Sequence, residues 1–139
     1  MNYIINTDGG SRGNPGNAGA GAVIRDDTEN TVATVSKFLG HRTNNFAEYE
    51  AIILALKELA KLVPENKLMQ TKVLVKMDSE LVVKQMQGVY RVKHPVLQLQ
   101  KANLKKLVAM FEEVSFTHIP RAQNKDADLL ANEAMDRGE

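Results

Sequence analysis

"NTDGGSRGNPGNAGAG" (residues 6–21) follows the apolar run Tyr3-Ile4-Ile5 and holds six of the chain's nine glycines, one proline and a single carboxylate, Asp8. Glycine at that density marks a turn, or a place where backbone must approach something closely, because no Cβ stands in the way. Residues 3–8 read as a strand, so Asp8 falls at its mouth, on the same face as Ile4 and Asn6. A turn-initiating aspartate accounts for Asp8 on this stretch alone. The rest of the chain has to decide.

Downstream, residues 19–26 and 31–39 read as two further strands joined by the turn "DDTEN", residues 26–30. A helix is expected over 44–62, closed before Pro64, then a strand over 71–77 and a short helix over 79–87 stopped by Gly88. A longer helix over 95–110, a strand over 114–118 and a last helix over 124–137 complete the chain. The order β-β-β-α-β-α-α-β-α predicts an α/β fold built on a single mixed five-stranded sheet. It would combine a three-strand meander with two strands parallel to the first, between flanking helices. The C-terminal ends of the first and fourth strands would then lie side by side, with Asp8 and Asp78 at the edge where open α/β sheets bind ligands.

The 139 residues suit one domain, 1–139, and a monomer. At 43% hydrophobic and 25% charged residues the composition is that of a soluble globular protein. No apolar run nears the roughly 18 residues of a membrane span, and the strand-like start leaves no room for a secretory signal. With no cysteine, disulfides, thiolate metal sites and cysteine nucleophiles are excluded, which fits a cytoplasmic setting. Between Leu81 and Phe111 there is no acid but six positive charges, Lys84, Arg91, Lys93, Lys101, Lys105 and Lys106, so the remainder of this +1 chain carries −5. Such a segment fits an anionic partner met at one place, or a solvated helix face. A phosphate-binding P-loop and a dinucleotide fingerprint are absent, and His41, His94 and His118 show no metal spacing.

Four acids stand out. Helical phase puts Glu48 beside Ile52, Ala55 and Leu59 on the apolar side, and Glu50 on the solvent face with Lys57 and Lys61. A buried carboxylate needs a partner; a capping box from Asn45 to Glu48 is the structural alternative. Asp78 in "KMDSEL" ends a strand and opens a helix, where it can also serve as an N-cap. In the last helix Asp128 borders the stripe of Ala131, Ala134 and Met135, whereas Asp126 falls beside Glu133 on the solvated side. Asp128 can also simply favour the helix dipole. Gathered at one sheet edge, four carboxylates repel one another unless hard divalent cations neutralise them. Two such ions can promote phosphodiester hydrolysis.

With "TDGGSRGNPG", "TNNFAEYEA", "MDSELVVKQM" and "NKDADLLANEA" in that order, the chain closely resembles type 1 ribonuclease H over essentially its whole length. The resemblance implies a ribonuclease H-like fold and endonucleolytic hydrolysis of the RNA strand of an RNA/DNA hybrid. It implies Mg²⁺, two ions with substrate bound, and Mn²⁺ as a substitute. Asp8, Glu48, Asp78 and Asp128 match the metal-binding, catalytic acids, and the spacing from Asn124 favours Asp128 over Asp126. Ser11, Asn14, Asn44 and Asn45 match minor-groove contacts, where the 2′-hydroxyl distinguishes RNA from DNA. Thr43 matches a DNA-phosphate contact, with helix initiation as its alternative, and Lys93 belongs to the basic segment expected to hold the DNA strand. Three departures are visible. Glu80 stands where glutamine is common, the tryptophan-rich protrusion is missing, and the histidine loop is shortened to "HIPRAQN". His118 is therefore expected in the fifth strand, with Arg121 facing the site as an auxiliary group.

Overall fold

The computed structural model describes residues 2–139. Its elements are β1 (Asn2–Arg12), β2 (Gly16–Asp26), β3 (Thr31–Arg42), α1 (Asn44–Leu62), β4 (Lys72–Met77), α2 (Glu80–Met86), α3 (Pro95–Val108), β5 (Glu113–His118) and α4 (Lys125–Arg137), with 3₁₀ turns at Glu65–Gln70 and Arg121–Gln123. The sheet order is β3-β2-β1-β4-β5. β1, β2 and β3 pair antiparallel, and β4 and β5 run parallel to β1, as the element order predicts.

Alternation along β1 assigns the two faces. Ile5 belongs to the main core with Ile24, Tyr49, Ile52, Leu56, Leu59, Val73, Val75 and Met77, so odd-numbered β1 residues face α1. Each such side chain, fully buried, contributes on the order of 1.5–3 kcal/mol. Even-numbered residues face α4, which lays Ala127, Ala131 and Ala134 on the opposite side of the sheet.

The glycine stretch is not a loop. β1 continues four residues past Asp8 and β2 begins at Gly16, leaving a tight turn at Gly13-Asn14-Pro15 with a cis bond before Pro15. Gly13, at φ 93°, and Gly16, where a Cβ would lie 2.0 Å from the Arg12 carbonyl oxygen, serve that turn, but Gly9, Gly19 and Gly21 are needed by helices. A Cβ on Gly9 would lie 2.2 Å from the Ala47 carbonyl carbon of α1. One on Gly21 would lie 2.3 Å from the Ala127 carbonyl oxygen of α4, and one on Gly19 2.6 Å from that of Ala131. Close approach is thus real, but it is met by the protein's own two helices pressing on the hairpin from either side.

Candidate active site

Asp8 sits where two strands part. β1 and β4 pair from Asn2 opposite Lys72 to Asn6 opposite Lys76. β1 then runs on while β4 stops at Met77, so Asp8 keeps β2 on one side, opposite Gly21, and open space on the other. Asp78 follows the end of β4 directly and faces that opening. It is not an N-cap: Ser79 starts α2, accepting from the Val82 amide at 3.3 Å.

Glu48 comes from the second turn of α1, on the face its phase predicts. The capping-box alternative fails, because Thr43 is the N-cap and accepts from the Phe46 amide at 3.2 Å. Among the described residues the Glu48 Oε2 atom is buried without a hydrogen-bond partner. Glu50 departs from expectation: it is half-buried and accepts from Gln100 Nε2 of α3 at 3.3 Å, because α3 covers that side of α1. In α4 the two acids separate as expected. Asp126 is exposed and pairs with Arg25 at 2.8 Å, while Asp128 is half-buried and turned to the cleft. Asn132, one turn on, donates to Asp128 Oδ1 at 3.2 Å.

The four carboxylates line one cleft of about 380 Å³, together with Gly10, Ser11, Arg12, Asn44, Arg121 and Asn132. Burial, then the charge of Asp78, then a hydrogen bond and charge from Asp128 push Asp8 up from 3.8 to about 8. Burial raises Glu48 to about 7, helped by Asp78 and opposed by a hydrogen bond from Ser79. These acids thus take up protons where cations are lacking. Among the described residues no three of them are drawn into the spacing of a ready-made single-ion site. The chemistry of the set nevertheless suits a hard divalent ion: the four acids offer oxygen donors, Asp128 alone of them has a base in ion-pair reach (Arg121), and a buried oxygen of Glu48 lacks a partner.

A ridge of amides borders this cleft. Asn44 Oδ1 accepts from the Ser11 amide at 2.8 Å, and Asn14 Oδ1 accepts from the Asn44 amide at 3.1 Å. Beyond it lies a second groove of about 460 Å³ lined by Asn14, Thr43, Asn45, His41, Arg42 and His94 among others. Arg42 stacks on Phe46 at 4.4 Å. His41 and His94, scattered in sequence, both line this groove; no spacing rule links them, because β3 and the start of α3 come to one groove only in the fold. Lys93 is exposed between α2 and α3 and lines neither space. His118 ends β5 opposite Met77, exposed, as expected. Arg121 does reach the cleft, 3.8 Å from Asp128.

Comparison with known proteins matches this geometry. Residues 6–134 fit the family model described as reverse transcriptase-like. The chain is 49% identical to LC11-RNase H1, isolated from compost by a metagenomic approach, covering 98% of this chain and 96% of that one with a TM-score of 0.91. That protein also has a structure in complex with an RNA/DNA hybrid, at 48% identity, 97% coverage of both chains and a TM-score of 0.91. Bifunctional protein Rv2228c of Mycobacterium tuberculosis is 44% identical over 137 residues, 98% of this chain but 36% of its own length. The chain thus spans about a third of that relative. Ribonuclease HI of Halobacterium salinarum is 40% identical over 93% of this chain and 62% of its own. On sequence and fold together, the chain belongs to the ribonuclease H1 family.

Proposed function

We propose that this chain acts as a monomeric ribonuclease H domain that cuts the RNA strand of RNA/DNA hybrids endonucleolytically. The observation that carries the reading is the convergence of Asp8, Glu48, Asp78 and Asp128, from four separate elements, on one cleft beside the Asn14–Asn44 ridge. Those four acids would hold Mg²⁺, or Mn²⁺ in its place, with two ions engaged when substrate is bound. Bound there, the ions would lower the cost of generating a nucleophilic water and of releasing the 3′ oxygen.

The protein's own part is to bind and orient. The RNA strand lies over the acidic cleft, where Ser11, Asn14, Asn44 and Asn45 read the minor groove and its 2′-hydroxyls. The DNA strand runs toward the second groove, where the Thr43 hydroxyl still has a proton to donate after accepting from Phe46. Arg121 clamps a phosphate oxygen or helps release product; a guanidinium does not move protons at neutral pH. His118, at the end of β5, is the second auxiliary candidate. Glu80 is held by Lys84 at 2.7 Å and cannot donate to a base edge as a glutamine would.

A labelled hybrid, duplex DNA and duplex RNA, each with Mg²⁺ or with chelator, test this directly. The expected result is cleavage of the hybrid alone, in its RNA strand, giving 5′-phosphate ends only when the ion is present. Cleavage of duplex DNA at a comparable rate, or full activity in chelator, overturns it.

A further inference from the structure

Asn124 occupies the N-cap of α4, yet its side chain makes no capping bond. Asparagine at that position ordinarily accepts from a first-turn amide. Here the side chain turns to β1 instead. Its Nδ2 donates to the Thr7 carbonyl at 2.8 Å, and its Oδ1 accepts from Asn6 Nδ2 at 3.1 Å. Both amides are buried, Asn124 at 1% and Asn6 at 8% exposure. The Asn124 main-chain oxygen accepts from the Asp128 amide at 3.1 Å, so the residue bonded to β1 also opens the turn that carries Asp128.

Spacing gives the pair its meaning. Asn6 stands two residues before Asp8 on the same strand face, and Asn124 stands one helical turn before Asp128. Two strand residues advance roughly 6.6 Å and four helical residues roughly 6 Å, so the contacts 6–124 and 8–128 are successive rungs between β1 and α4. The first rung joins two uncharged amides, whose remaining groups meet Arg25 Nη1, at 3.5 Å from Asn6 Oδ1, and the Thr7 carbonyl. The second joins two carboxyl groups and repels when both are ionised.

We propose that the buried Asn6–Asn124 pair is a positioning device, setting the register of α4 on β1 so that Asp128 faces Asp8 and the two can serve a common divalent cation. This rests on reading the cleft as a metal-dependent nuclease site. Outer partners of ligands commonly change metal affinity 10- to 100-fold when removed. A merely structural contact would lower stability without that selectivity. The far end of α4 offers the control: Arg137 donates to the Ser36 carbonyl at 2.7 Å and to its hydroxyl at 3.1 Å, anchoring the helix to β3.

Asn6→Leu and Arg137→Ala are compared by Mn²⁺ titration calorimetry on the substrate-free protein, melting temperature, and amide exchange over residues 125–130. Asn6→Ser, which keeps a shorter donor, replaces Asn6→Leu should the latter fail to fold. The expected result is Mn²⁺ affinity about 10-fold weaker in the Asn6 variant, with kcat reduced at subsaturating metal and the hybrid KM unchanged. Arg137→Ala should lower the melting temperature comparably while leaving Mn²⁺ affinity within twofold. Equal losses of affinity in the two variants, or none at Asn6, overturn the proposal. Failure of the wild type to bind the ion would sink the nuclease reading instead. Exchange then decides the pair: faster exchange at 125–130 in the Asn6 variant alone upholds it, and equal exchange overturns it.

Discussion

Asp8 keeps its proton to about pH 8 and Glu48 to about pH 7 in the cation-free protein, because burial and neighbouring acids disfavour their charged forms. Unfolded, both ionise near their ordinary values, so between about pH 4 and 8 the native state binds more protons. Metal-free stability should therefore fall as pH rises through that window, and level off above it. Melting curves from pH 4 to 9 should show this slope, reduced in Asp8→Asn, whose loss of hybrid cleavage should accompany equal or greater metal-free stability. In α4, Asp128→Asn should cost orders of magnitude in rate. Asp126→Asn should cost little, since its pair with Arg25 is exposed and worth under about 1 kcal/mol. Similar rates in the two variants would contradict the assignment. His118→Ala should spare kcat, while Arg121→Ala should slow it roughly 10- to 100-fold, about 1.4–2.7 kcal/mol; kcat against pH for both variants checks this. That Asp8, Glu48, Asp78 and Asp128 meet at one cleft was legible because strand parity, helical phase and element order follow simple rules. Glu50 was not, since only the packing of α3 turns its face inward. Nor was the Asn6–Asn124 pair, which spans 118 positions in sequence.

Among the elements, the hairpin of β1 and β2 departs most from its sequence reading. Glycine usually interrupts a strand, and periodicity gives no warning that two helices will settle on a strand so closely that a methyl group does not fit. The same reasoning misplaced the start of β2 by three residues and hid the extension of β1 beyond Asp8. Gly21→Ala should accordingly force α4 outward, destabilise the protein by about 1–3 kcal/mol or more, and lower kcat, because the added Cβ meets backbone. Gly40→Ala, in open space but at φ 78°, should cost about 1 kcal/mol or somewhat more and leave kcat alone. Denaturant melts paired with initial rates separate the two. The α1 N-terminus makes a smaller point: threonine and asparagine both cap well, so residues 43 to 45 offered several equivalent starts and only geometry selected Thr43.

For the molecule as a whole, charge is divided by place. Asp8, Glu48, Asp78 and Asp128 gather in one cleft, while Arg91, Lys101 and Lys105 line a separate cleft of about 530 Å³ beside Tyr90. Replacing Lys93, Lys101 and Lys105 with alanine should raise KM and flatten the salt dependence by roughly 0.9 in log–log slope per lost phosphate contact, with kcat nearly unchanged. A slope identical to wild type would mean that these lysines only solvate the helix. Lys101 also donates to the Gln85 carbonyl at 2.9 Å, so its single variant should be melted separately. The topology of the sheet was readable from element order, because crossover rules leave few ways to arrange it. The second groove was not, being made where three elements converge. The alanine face of α4 carries a last consequence. Ala127, Ala131 and Ala134 each add only the transfer of a methyl group, on the order of 0.8 kcal/mol, so half-buried Leu130 and Met135 and a handful of polar anchors hold the rest of the helix. Small side chains give up little apolar burial when a helix lifts, and this one carries one of the four acids. On gradual warming, the protein should lose catalysis several degrees before its secondary structure melts, and should regain it on cooling as the helix settles back.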